Sequence, residues 1–490
     1  MRKLLIIALT FLSFSVFAQT QTADYFKLTR ANFNEKNAFE TTSFVEKYFR
    51  VPGNTGFNAS IHRVEDILKK AGYVAEKSNE FEGPLTYRIE KRPMKRNTWE
   101  PVNASVTILG ESTPLIAYAT NRNMIPINCP STPAEGVTAE VVFVGKGTPA
   151  DFEGKDLKGK IVFGDVATGR LVAAAVKAGA IGAMGYSVPK YNQPEIHQTS
   201  ISFGSMQANA GIWSLLLSYG VKEKLKAACL KGKVELKVNI ETKIYQSEEL
   251  TIVANVKGSV NPNDRFVYSA HVQEPGANDN ATGVGTLAEM ARVTAVLLKS
   301  GKLKPQRTLT FLWGDEIVST GRYITDDKER AKGILWGMSL DMVGEDTQKT
   351  GGTFLIEKMP DPSAIWTRGN DKHSEWGAGN VKEKDLFPHY YNDFIFDICK
   401  TQGKFANWTV NFNPFEGGSD HTPFLQNKIP GLLMWHFTDV FYHTDNDRID
   451  KVSATTMNNV GVSALTAAYT LVTANEATAT ATVTQVKNDA

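Results

Sequence analysis

From residue 250 onward the sequence alternates short apolar runs with longer amphipathic segments, and this alternation constrains the fold more than any other feature. A long helix is predicted over Thr282–Ser300, where Gly301 ends the apolar pattern. Strands that alternate with helices form a sheet with helices on both faces. The predicted fold class is therefore α/β, with a mixed, largely parallel sheet flanked by helices. Four compact apolar runs are the predicted strands: 265–271, 307–313, 337–341 and 431–437.

Two earlier regions differ from this pattern. Residues 37–72 predict two helices, because apolar residues recur at helical spacing on either side of Pro52-Gly53-Asn54. From residue 106, short β-like runs and Gly-rich turns surround an Ala-rich helix at Leu171–Gly179. We therefore expect 106–243 to be a β-rich α/β module inserted in the main domain; one larger domain is the alternative.

The main domain is then discontinuous and comprises 19–105 and 244–475. A chain of 490 residues is long enough for such a division, since domains commonly contain about 100–200 residues. The Ala/Thr-rich end at 476–490 has no apolar face and is expected to be a flexible tail.

The beginning of the chain resembles a secretory signal peptide at 1–18. Arg2 and Lys3 precede the apolar run Leu4–Phe14, and small residues follow where cleavage would occur. The apolar run is too short to span a bilayer comfortably. The sequence therefore predicts an exported protein, periplasmic or extracellular.

Charge and cysteine content narrow the function classes. The chain carries 54 Lys and Arg against 52 Asp and Glu, a net charge of +2, so nucleic-acid binding is not expected. Its three cysteines allow at most one disulfide and exclude an all-cysteine zinc site, so any metal would be held by His and carboxylates. No run after residue 18 predicts a membrane span, and no particular oligomeric state is predicted.

Residues with metal-binding chemistry follow the predicted strands where each strand ends. The first strand ends in His271 and the third in Asp341. The second strand is followed by the pair Asp315 and Glu316. Functional groups of open α/β sheets gather beyond the carboxyl ends of the strands. An imidazole and three carboxylates are therefore predicted at one edge.

Two further residues extend this set. Asp279 lies at the amino end of the long helix, where an Asp is commonly a cap, and His443 follows the fourth strand, where a lone His is commonly structural. Because the other strand ends also carry residues that can bind metal, metal binding is the preferred interpretation of both Asp279 and His443. Two neighbouring zinc ions need one imidazole and one carboxylate each, together with one carboxylate that bridges both ions. The two cations lower the pKa of a water that they share. A neighbouring carboxylate can then accept a proton from that water.

Five motifs in the same order resemble family twenty-eight of the metallopeptidases, the co-catalytic zinc aminopeptidases and their carboxypeptidase relatives. Any one of the motifs alone is weak, whereas the ordered set is specific. They are PGANDNATGV at 275–284, WGDE at 313–316, SLDMVG at 339–344, GSDHTPF at 418–424 and YHTD at 442–445.

The resemblance implies a zinc exopeptidase fold and two zinc ions per chain. One zinc would be held by His271 and Asp341 and the other by Glu316 and His443, with Asp279 bridging both. The implied substrates are peptides or small proteins.

The resemblance also places Asp315 at the general-base position. Relatives usually carry Glu there, so the carboxylate here is one methylene shorter. Gln273 stands where relatives commonly have an Asp that orients the zinc-binding His, and the loop from His271 to Asp279 is short. We expect these departures to alter rate or substrate range and to leave metal binding intact.

The motif around residue 420 and the inserted module have less direct roles. Ser419, Asp420 and His421 are expected to form part of the wall of the substrate pocket; they do not form a nucleophile elbow, because the last Gly of that motif is missing. The module at 106–243 resembles the protease-associated domain that many members of the family carry.

The leading functional hypothesis is an exported zinc aminopeptidase with Asp315 as general base. A carboxypeptidase is the first alternative and would need cationic groups near the metals. Arg292 and Arg322 follow the motifs in the sequence, but nothing in the sequence places them in the pocket. A glutaminyl-cyclase-like enzyme, whose relatives use one zinc, is the second. A zinc-containing binding protein with little activity is the third.

Overall fold

The computed structural model describes residues 21–77, 82–367, 369 and 372–489. The predicted signal peptide at 1–18 lies outside the described residues. Two sheets organise the chain, one with nine strands and one with seven.

The secondary-structure elements are numbered in chain order. The helices are α1 (21–32), α2 (Glu35–Val45), α3 (Thr55–Ala71), α4 (Pro149–Phe152), α5 (Thr168–Lys177), α6 (Tyr219–Lys231), α7 (Ala281–Lys299), α8 (Val318–Thr325), α9 (Lys328–Lys332), α10 (Thr347–Thr350), α11 (Tyr391–Ala406), α12 (Thr422–Gln426), α13 (Ala454–Val472) and α14 (Glu476–Asp489). The strands are β1 (Val74–Ala75), β2 (Leu85–Pro93), β3 (Thr98–Ile108), β4 (Ile116–Ala117), β5 (Val137–Phe143), β6 (Ile161–Gly164), β7 (Gly182–Gly185), β8 (Trp213–Leu216), β9 (Val234–Tyr245), β10 (Glu248–Val256), β11 (Asn261–His271), β12 (Arg307–Gly314), β13 (Ile334–Leu340), β14 (Thr353–Glu357), β15 (Asn411–Asn413) and β16 (Gly431–Phe437).

The nine-stranded sheet has the order β1-β2-β10-β12-β11-β13-β16-β14-β15. Its centre, β12-β11-β13-β16, is parallel throughout, whereas β10 and β14 join it as antiparallel neighbours. All four predicted strands are these central strands, and the predicted long helix is α7. The prediction of a mixed, largely parallel α/β sheet flanked by helices is confirmed.

Apolar contacts between this sheet and its buried helices form the main core. Phe311 stacks on Tyr268 at 5.3 Å and on Trp313 at 6.3 Å between ring centroids, and all three rings are buried. Burying a large apolar side chain contributes roughly 1.5–3 kcal/mol. Among the described residues, helix α7 has the length and hydropathy of a membrane span. No run after residue 18 was expected to have them. In α7, 83% of the apolar 18-residue stretch is buried inside the protein.

Local signals at the helix ends match the sequence prediction for α2 and α3. The side chain of Asn54 accepts a hydrogen bond from the backbone N–H of Phe57 and so caps the start of α3. Gly72 ends α3 with φ of 90°, a left-handed conformation that favours glycine.

The seven-stranded sheet has the order β4-β3-β9-β5-β6-β7-β8. It extends beyond the predicted module of 106–243, because β3 and β9 pair from Thr98 opposite Tyr245 to Ile108 opposite Leu236. The long pairing joins the entry and exit strands of this region. The division into domains stays a prediction.

The end of the chain differs from expectation. Helix α14 occupies residues 476–489 of the segment expected to be a flexible tail at 476–490, and residue 490 lies outside the described residues. Asn475 caps this helix through the N–H of Thr478, whose hydroxyl also donates to Gln21 Oε1 at 3.1 Å. Such polar contacts do not appear as an apolar face in the sequence, so the helix was missed. The three cysteines are free in the described structure.

Candidate metal centre

The parallel strands at the middle of the large sheet bring the predicted metal ligands to one edge. His271 ends β11 opposite Gly314 of β12, so Asp315 and Glu316 follow directly beside it. Asp341 follows β13 on the other side of β11. Neighbouring parallel strands that end at the same level place these polar residues in one cluster.

His271 forms the first of two groups of donor atoms. Its Nε2 lies 3.3 Å from Asp341 Oδ1 and 3.7 Å from Asp279 Oδ1. Its Nδ1 faces the backbone carbonyl of Gln273 at 3.2 Å; donation there leaves the Nε2 lone pair directed at the two carboxylates. Ser419 Oγ donates to the other oxygen of Asp341 at 2.8 Å and fixes that carboxylate.

His443 forms the second group. Its Nε2 lies 3.1 Å from Asp279 Oδ2 and 3.4 Å from Glu274 Oε2. Asp279 therefore directs one carboxylate oxygen at each imidazole, which is the arrangement of a bridging ligand. Glu274 was not predicted as part of the site.

Glu316 is beside these groups and belongs to neither of them among the described residues. Its Oε1 lies 3.7 Å from His271 Nε2. Gln273 binds Glu316 twice: the Glu316 N–H donates to Gln273 Oε1 at 2.8 Å, and Gln273 Nε2 donates to Glu316 Oε2 at 3.1 Å.

The donor atoms have the spacing and the lack of partners that metal binding requires. Each group offers three ligand atoms within 4.8 Å of one another. Zinc–ligand bonds of about 2.0–2.2 Å put two donors of one tetrahedral ion about 3.4 Å apart. In the described part of the chain, His271 Nε2, Asp279 Oδ1 and Asp341 Oδ1 are buried without a hydrogen-bond partner. Buried polar atoms rarely stay unpaired, so these residues fit a cation.

The buried imidazoles and carboxylates shift one another's pKa values. Burial lowers the pKa of His443, but the charges of Glu274 and Asp279 outweigh it and raise that pKa to about 10. Burial raises the pKa of Asp279, but hydrogen bonds with His443 and Glu274 outweigh it and leave the pKa below its ordinary value. Burial and the charge of Asp279 raise the pKa of Glu274 to about 7. A metal ion must displace the protons held here, so its binding releases protons.

Asp315 lies beside the centre. Its backbone N–H donates to Ser319 Oγ at 2.9 Å, which fixes the turn between β12 and α8. Burial, followed by the negative charges of Glu249 and Asp420, raises the pKa of Asp315 to about 7. A carboxyl group with such a pKa can accept and return a proton near neutral pH.

Asp447 and two buried arginines hold the loop that carries Asp279. Asp447 accepts hydrogen bonds from the N–H groups of Asn278 at 2.8 Å and Asp279 at 2.9 Å. Arg50 donates to the carbonyls of Val272 and Gly276, both at 2.7 Å, near the two ends of the same loop. Arg122 of the small-sheet region donates to the carbonyl of Pro275 and, at 2.7 Å, to that of Glu46. The loop is therefore held from three directions.

The small-sheet region also positions His443. The Phe203 ring lies 4.6 Å from the imidazole, and the Phe203 N–H donates to the His443 carbonyl at 2.9 Å. Asp445 binds the backbone of Ile201 through both its N–H and its carboxylate. On the other side, the Tyr442 ring stacks on His443 at 3.7 Å.

Several residues around the centre hold a strained backbone. Positive φ angles occur at Glu274 (83°), Ile317 (61°), Met342 (52°) and His443 (60°), none of which is glycine. Such conformations persist where surrounding contacts determine them, and they cluster at functional sites. Two of these residues belong to the His443 group.

A cavity of 130 Å³ opens on the centre, and both the metal-binding carboxylates and apolar side chains line it. Trp376 packs on Gly418, where a Cβ would lie only 2.6 Å from the indole and where φ is 91°. The apolar lining residues are Met342, Trp376, Leu433, Trp435 and Tyr442.

Of the three residues predicted for the pocket wall, Ser419 lines this cavity, whereas Asp420 and His421 are buried behind it. Asp420 Oδ1 accepts from the N–H of Ile317 at 2.6 Å, and His421 Nε2 lies 2.8 Å from Glu357 Oε1. Both residues therefore have structural roles that hold the neighbouring loops. Asp315, predicted as general base, is also not among the cavity's lining residues.

The alternation of strand and helix together with the paired donor groups defines an α/β protein with a candidate metal site at the carboxyl edge of its sheet. Residues 251–468 match the sequence model of Peptidase family M28.

Curated relatives are similar over limited stretches. Aminopeptidase NAALADL1 of Mus musculus is 31% identical over 85 residues, which cover 17% of this chain and 11% of that protein. A probable zinc metalloprotease of Pyrenophora tritici-repentis is 24% identical over 221 residues, 39% of this chain and 46% of that protein. The chain thus spans about a tenth of the first protein's length and less than half of the second's.

Solved structures match over nearly the whole chain. The Peptidase M28 precursor from Shewanella amazonensis SB2B has a TM-score of 0.63 and 16% identity, covering 94% of this chain and 98% of its own. BSAP, a zinc aminopeptidase from Bacillus subtilis, has a TM-score of 0.59 and 18% identity, with coverage of 91% and 97%. An aminopeptidase from Aneurinibacillus sp. strain AM-1 has a TM-score of 0.53 and 22% identity, with coverage of 91% and 95%. These similarities show a common fold.

Proposed function

We propose that this protein is an exported aminopeptidase that binds two zinc ions and releases amino-terminal residues from peptides or small proteins. The observation that carries the proposal is the position of Asp279, whose two carboxylate oxygens face the two imidazoles of separate donor groups. The match of residues 251–468 to the sequence model of a peptidase family supports hydrolysis of peptide bonds as the reaction.

The first ion would be held by His271, Asp341 and one oxygen of Asp279. The second would be held by His443, the other oxygen of Asp279 and one further carboxylate. Bound zinc polarises a carbonyl and lowers the pKa of water. Ser419 keeps the Asp341 carboxylate in place, since its hydroxyl binds the oxygen that does not face His271.

Asp315 is proposed as the general base that accepts a proton from water and returns it to the leaving amine. Its support is its place directly before Glu316 at the end of β12, beside the cluster. Because Asp315 does not line the cavity, a proton must reach it by a small shift of the side chain or through water. The competing proton acceptor is Glu316, which does line the cavity.

An aminopeptidase is favoured over a carboxypeptidase by the charge of the cavity. No Arg or Lys of the described residues lines it. Arg292 binds Glu289, and Arg322 binds both oxygens of Glu249; neither arginine lines the cavity. A substrate carboxylate would lack the cationic partner that such enzymes need, whereas a substrate ammonium group would meet carboxylates.

Export and the accessory module complete the proposal. The predicted signal peptide supports a periplasmic or extracellular location. The seven-stranded region is proposed to be a protease-associated-like module that also supports the catalytic domain, since it contacts His443 through Phe203.

The test is zinc analysis of the purified full chain together with assays on peptide substrates. We expect two zinc ions per chain, hydrolysis of fluorogenic amino-acid amides and loss of activity after chelation that zinc restores. Amino-blocked peptides should resist cleavage and carboxyl-blocked peptides should be cleaved. The reverse pattern would indicate a carboxypeptidase. One zinc with cyclisation of amino-terminal Gln would indicate a cyclase, and zinc without hydrolysis would indicate a binding protein.

A further inference from the structure

We infer that Tyr191 and Asn192 of the small-sheet region are positioning residues for the substrate cavity, and that their contacts with its apolar wall set its preference for apolar amino-terminal side chains. The inference rests on the proposed function, because it concerns the selectivity of the same site. It is separate from the contact between Phe203 and His443, which supports a metal-binding residue. Tyr191 instead supports the wall that a substrate side chain would touch.

The apolar wall of the cavity belongs to one aromatic cluster. Leu433 and Trp435 of β16 line the cavity, and Tyr442 lines it from the loop that follows. Trp435 stacks on Phe437 at 5.1 Å between ring centroids, and Tyr442 meets Phe437 edge-on at 5.2 Å. Phe437 is not one of the cavity's lining residues, so it joins two lining side chains from behind.

Tyr191 extends this cluster from the other sheet. It lies between β7 and β8, and its ring meets Phe437 edge-on at 5.6 Å and lies 6.3 Å from the ring of Tyr442. Aromatic pairs at such distances attract each other and prefer particular orientations. Because Tyr191 packs against this cluster, its ring limits the positions that Phe437 and Tyr442 can take.

Asn192 fixes the backbone of the loop that carries Tyr442. Its side chain is buried, and its Nδ2 donates to the carbonyls of Val440 at 3.1 Å and Tyr442 at 3.0 Å. The amide NH₂ group has two donor hydrogens, so one Asn can bind both carbonyls, whereas an ionised Asp could only accept. Tyr442 is therefore held twice, through its ring by Tyr191 and through its carbonyl by Asn192.

Further contacts join the same segment of the small-sheet region to this loop. His197 packs on Phe441 at 4.7 Å between ring centroids, and Ser202 forms a backbone bridge with Thr444. Because several contacts hold the two regions together, removing the ring of Tyr191 should loosen the wall and leave the regions joined.

The selectivity of the zinc-loaded full chain tests the inference. We would measure kcat and KM for leucine amide and alanine amide with the wild type, Tyr191→Ala and Tyr191→Phe. The ratio of kcat/KM for leucine amide to kcat/KM for alanine amide should fall at least about fivefold in Tyr191→Ala, mainly through KM for leucine amide, because a loosened wall loses contact with a large side chain. Tyr191→Phe keeps the ring and should keep the wild-type ratio.

Tyr186→Ala is the matched control. Tyr186 is a partly buried tyrosine of the same region, and its ring packs on Tyr219 at 6.1 Å. Its removal should leave the ratio for leucine amide and alanine amide at the wild-type value.

Binding of amino-acid hydroxamates gives a second measurement that needs no hydrolysis. These compounds combine an amino-acid side chain with a group that binds zinc, and calorimetry would compare leucine hydroxamate with alanine hydroxamate. The preference for leucine hydroxamate should fall in Tyr191→Ala. If Tyr191→Ala does not fold, Asn192→Asp decides, because it keeps the shape of the side chain and removes both donors; it should reduce the same preference.

The inference is overturned if the deciding variant keeps the wild-type preference, if Tyr186→Ala loses that preference equally, or if the wild type does not prefer leucine. Peptide hydrolysis with unchanged selectivity in Tyr191→Ala would leave the proposed function standing. A wild type that cleaves no amide but prefers leucine hydroxamate, with this preference lost in Tyr191→Ala, would overturn the proposed function and leave the role of Tyr191 standing. A wild type that neither hydrolyses nor discriminates would overturn both.

Discussion

The carboxylate of Asp447 accepts a hydrogen bond of 2.9 Å from the backbone N–H of Asp279, the residue that faces both imidazoles. The other Asp447 oxygen accepts the N–H of Asn278, so both oxygens hold the loop. Asp447 touches neither imidazole and acts by positioning the shared carboxylate.

Replacing Asp447 with Asn should therefore weaken metal binding. An amide offers one acceptor oxygen and presents an NH₂ group to the second N–H, so one hydrogen bond is lost and the loop must shift. Loss of a partner that orients a ligand typically reduces metal affinity about 10–100-fold. Zinc titration of Asp447→Asn would measure the change.

Asp450→Asn is the control, because the Asp450 side chain is 64% exposed and, among the described residues, pairs only with the ammonium group of Lys451. Its zinc affinity should equal that of the wild type. Equal affinities in both variants would show that Asp447 does not position the loop.

Replacing Asp315 with Asn should lower kcat while zinc stays bound. The amide cannot accept a proton from water, and loss of a general base typically costs a factor of about 10²–10⁴. The measurement is kcat for an amino-acid amide beside the zinc content of the same preparation. Full activity of Asp315→Asn together with a large loss in Glu316→Gln would assign the proton acceptor to Glu316.

The apolar lining of the cavity predicts a preference for apolar amino-terminal residues. Trp376 covers Gly418 at the wall, and the residue is 37% exposed, which is high for a large aromatic residue. Removing the ring in Trp376→Ala deletes apolar contact area, so kcat/KM for large apolar substrates should fall about 10-fold or more, and that for alanine amide should fall less. A panel of amino-acid amides would measure this difference.

Trp366→Ala is the matched control, since Trp366 is 58% exposed and does not line the cavity. Its selectivity should be unchanged. A uniform loss over all substrates in Trp376→Ala would mean that the ring supports the fold and does not select substrates.

The sequence predicted the residues whose position follows from the end of a strand. His271 and Asp341 each lie where a parallel strand stops, and the periodicity of apolar residues is enough to find that point. Glu274 and Asp447 were missed because their roles depend on loop geometry. Glu274 and His443 both have left-handed φ angles, which no spacing rule predicts for non-glycine residues.

The sequence also did not predict the polar contacts between residues that are far apart in the chain. Arg50 binds the carbonyl of Val272, 222 positions later in the chain, and a lone buried arginine in a helical lead-in carries no sequence signal of that contact. Asp420 and His421 lie in a sequence motif that predicted residues of the pocket wall. In the structure, Asp420 binds a backbone N–H and His421 binds Glu357. Residue type alone does not distinguish a side chain that lines a cavity from one that supports its wall.

Glu65 on α3 should contribute stability that is lost in acid. Burial raises its pKa, but hydrogen bonds with Lys69, His62 and Tyr87 outweigh burial and lower the pKa to about 2. A carboxyl group with a folded-state pKa below its unfolded value stabilises the fold above the unfolded value of about 4.3 and loses this effect as pH falls toward 2. Because the pair with Lys69 is partly exposed, the contribution is about 1 kcal/mol. The free energy of unfolding of Glu65→Gln should therefore be lower than that of the wild type at pH 7, and the two should converge near pH 2, as urea unfolding at several pH values would show.

Tyr87→Phe removes one of the three hydrogen-bond partners of Glu65 and should lose only part of this stability. If the free energy of unfolding of Glu65→Gln stays equally far below that of the wild type at low pH, the effect comes from packing.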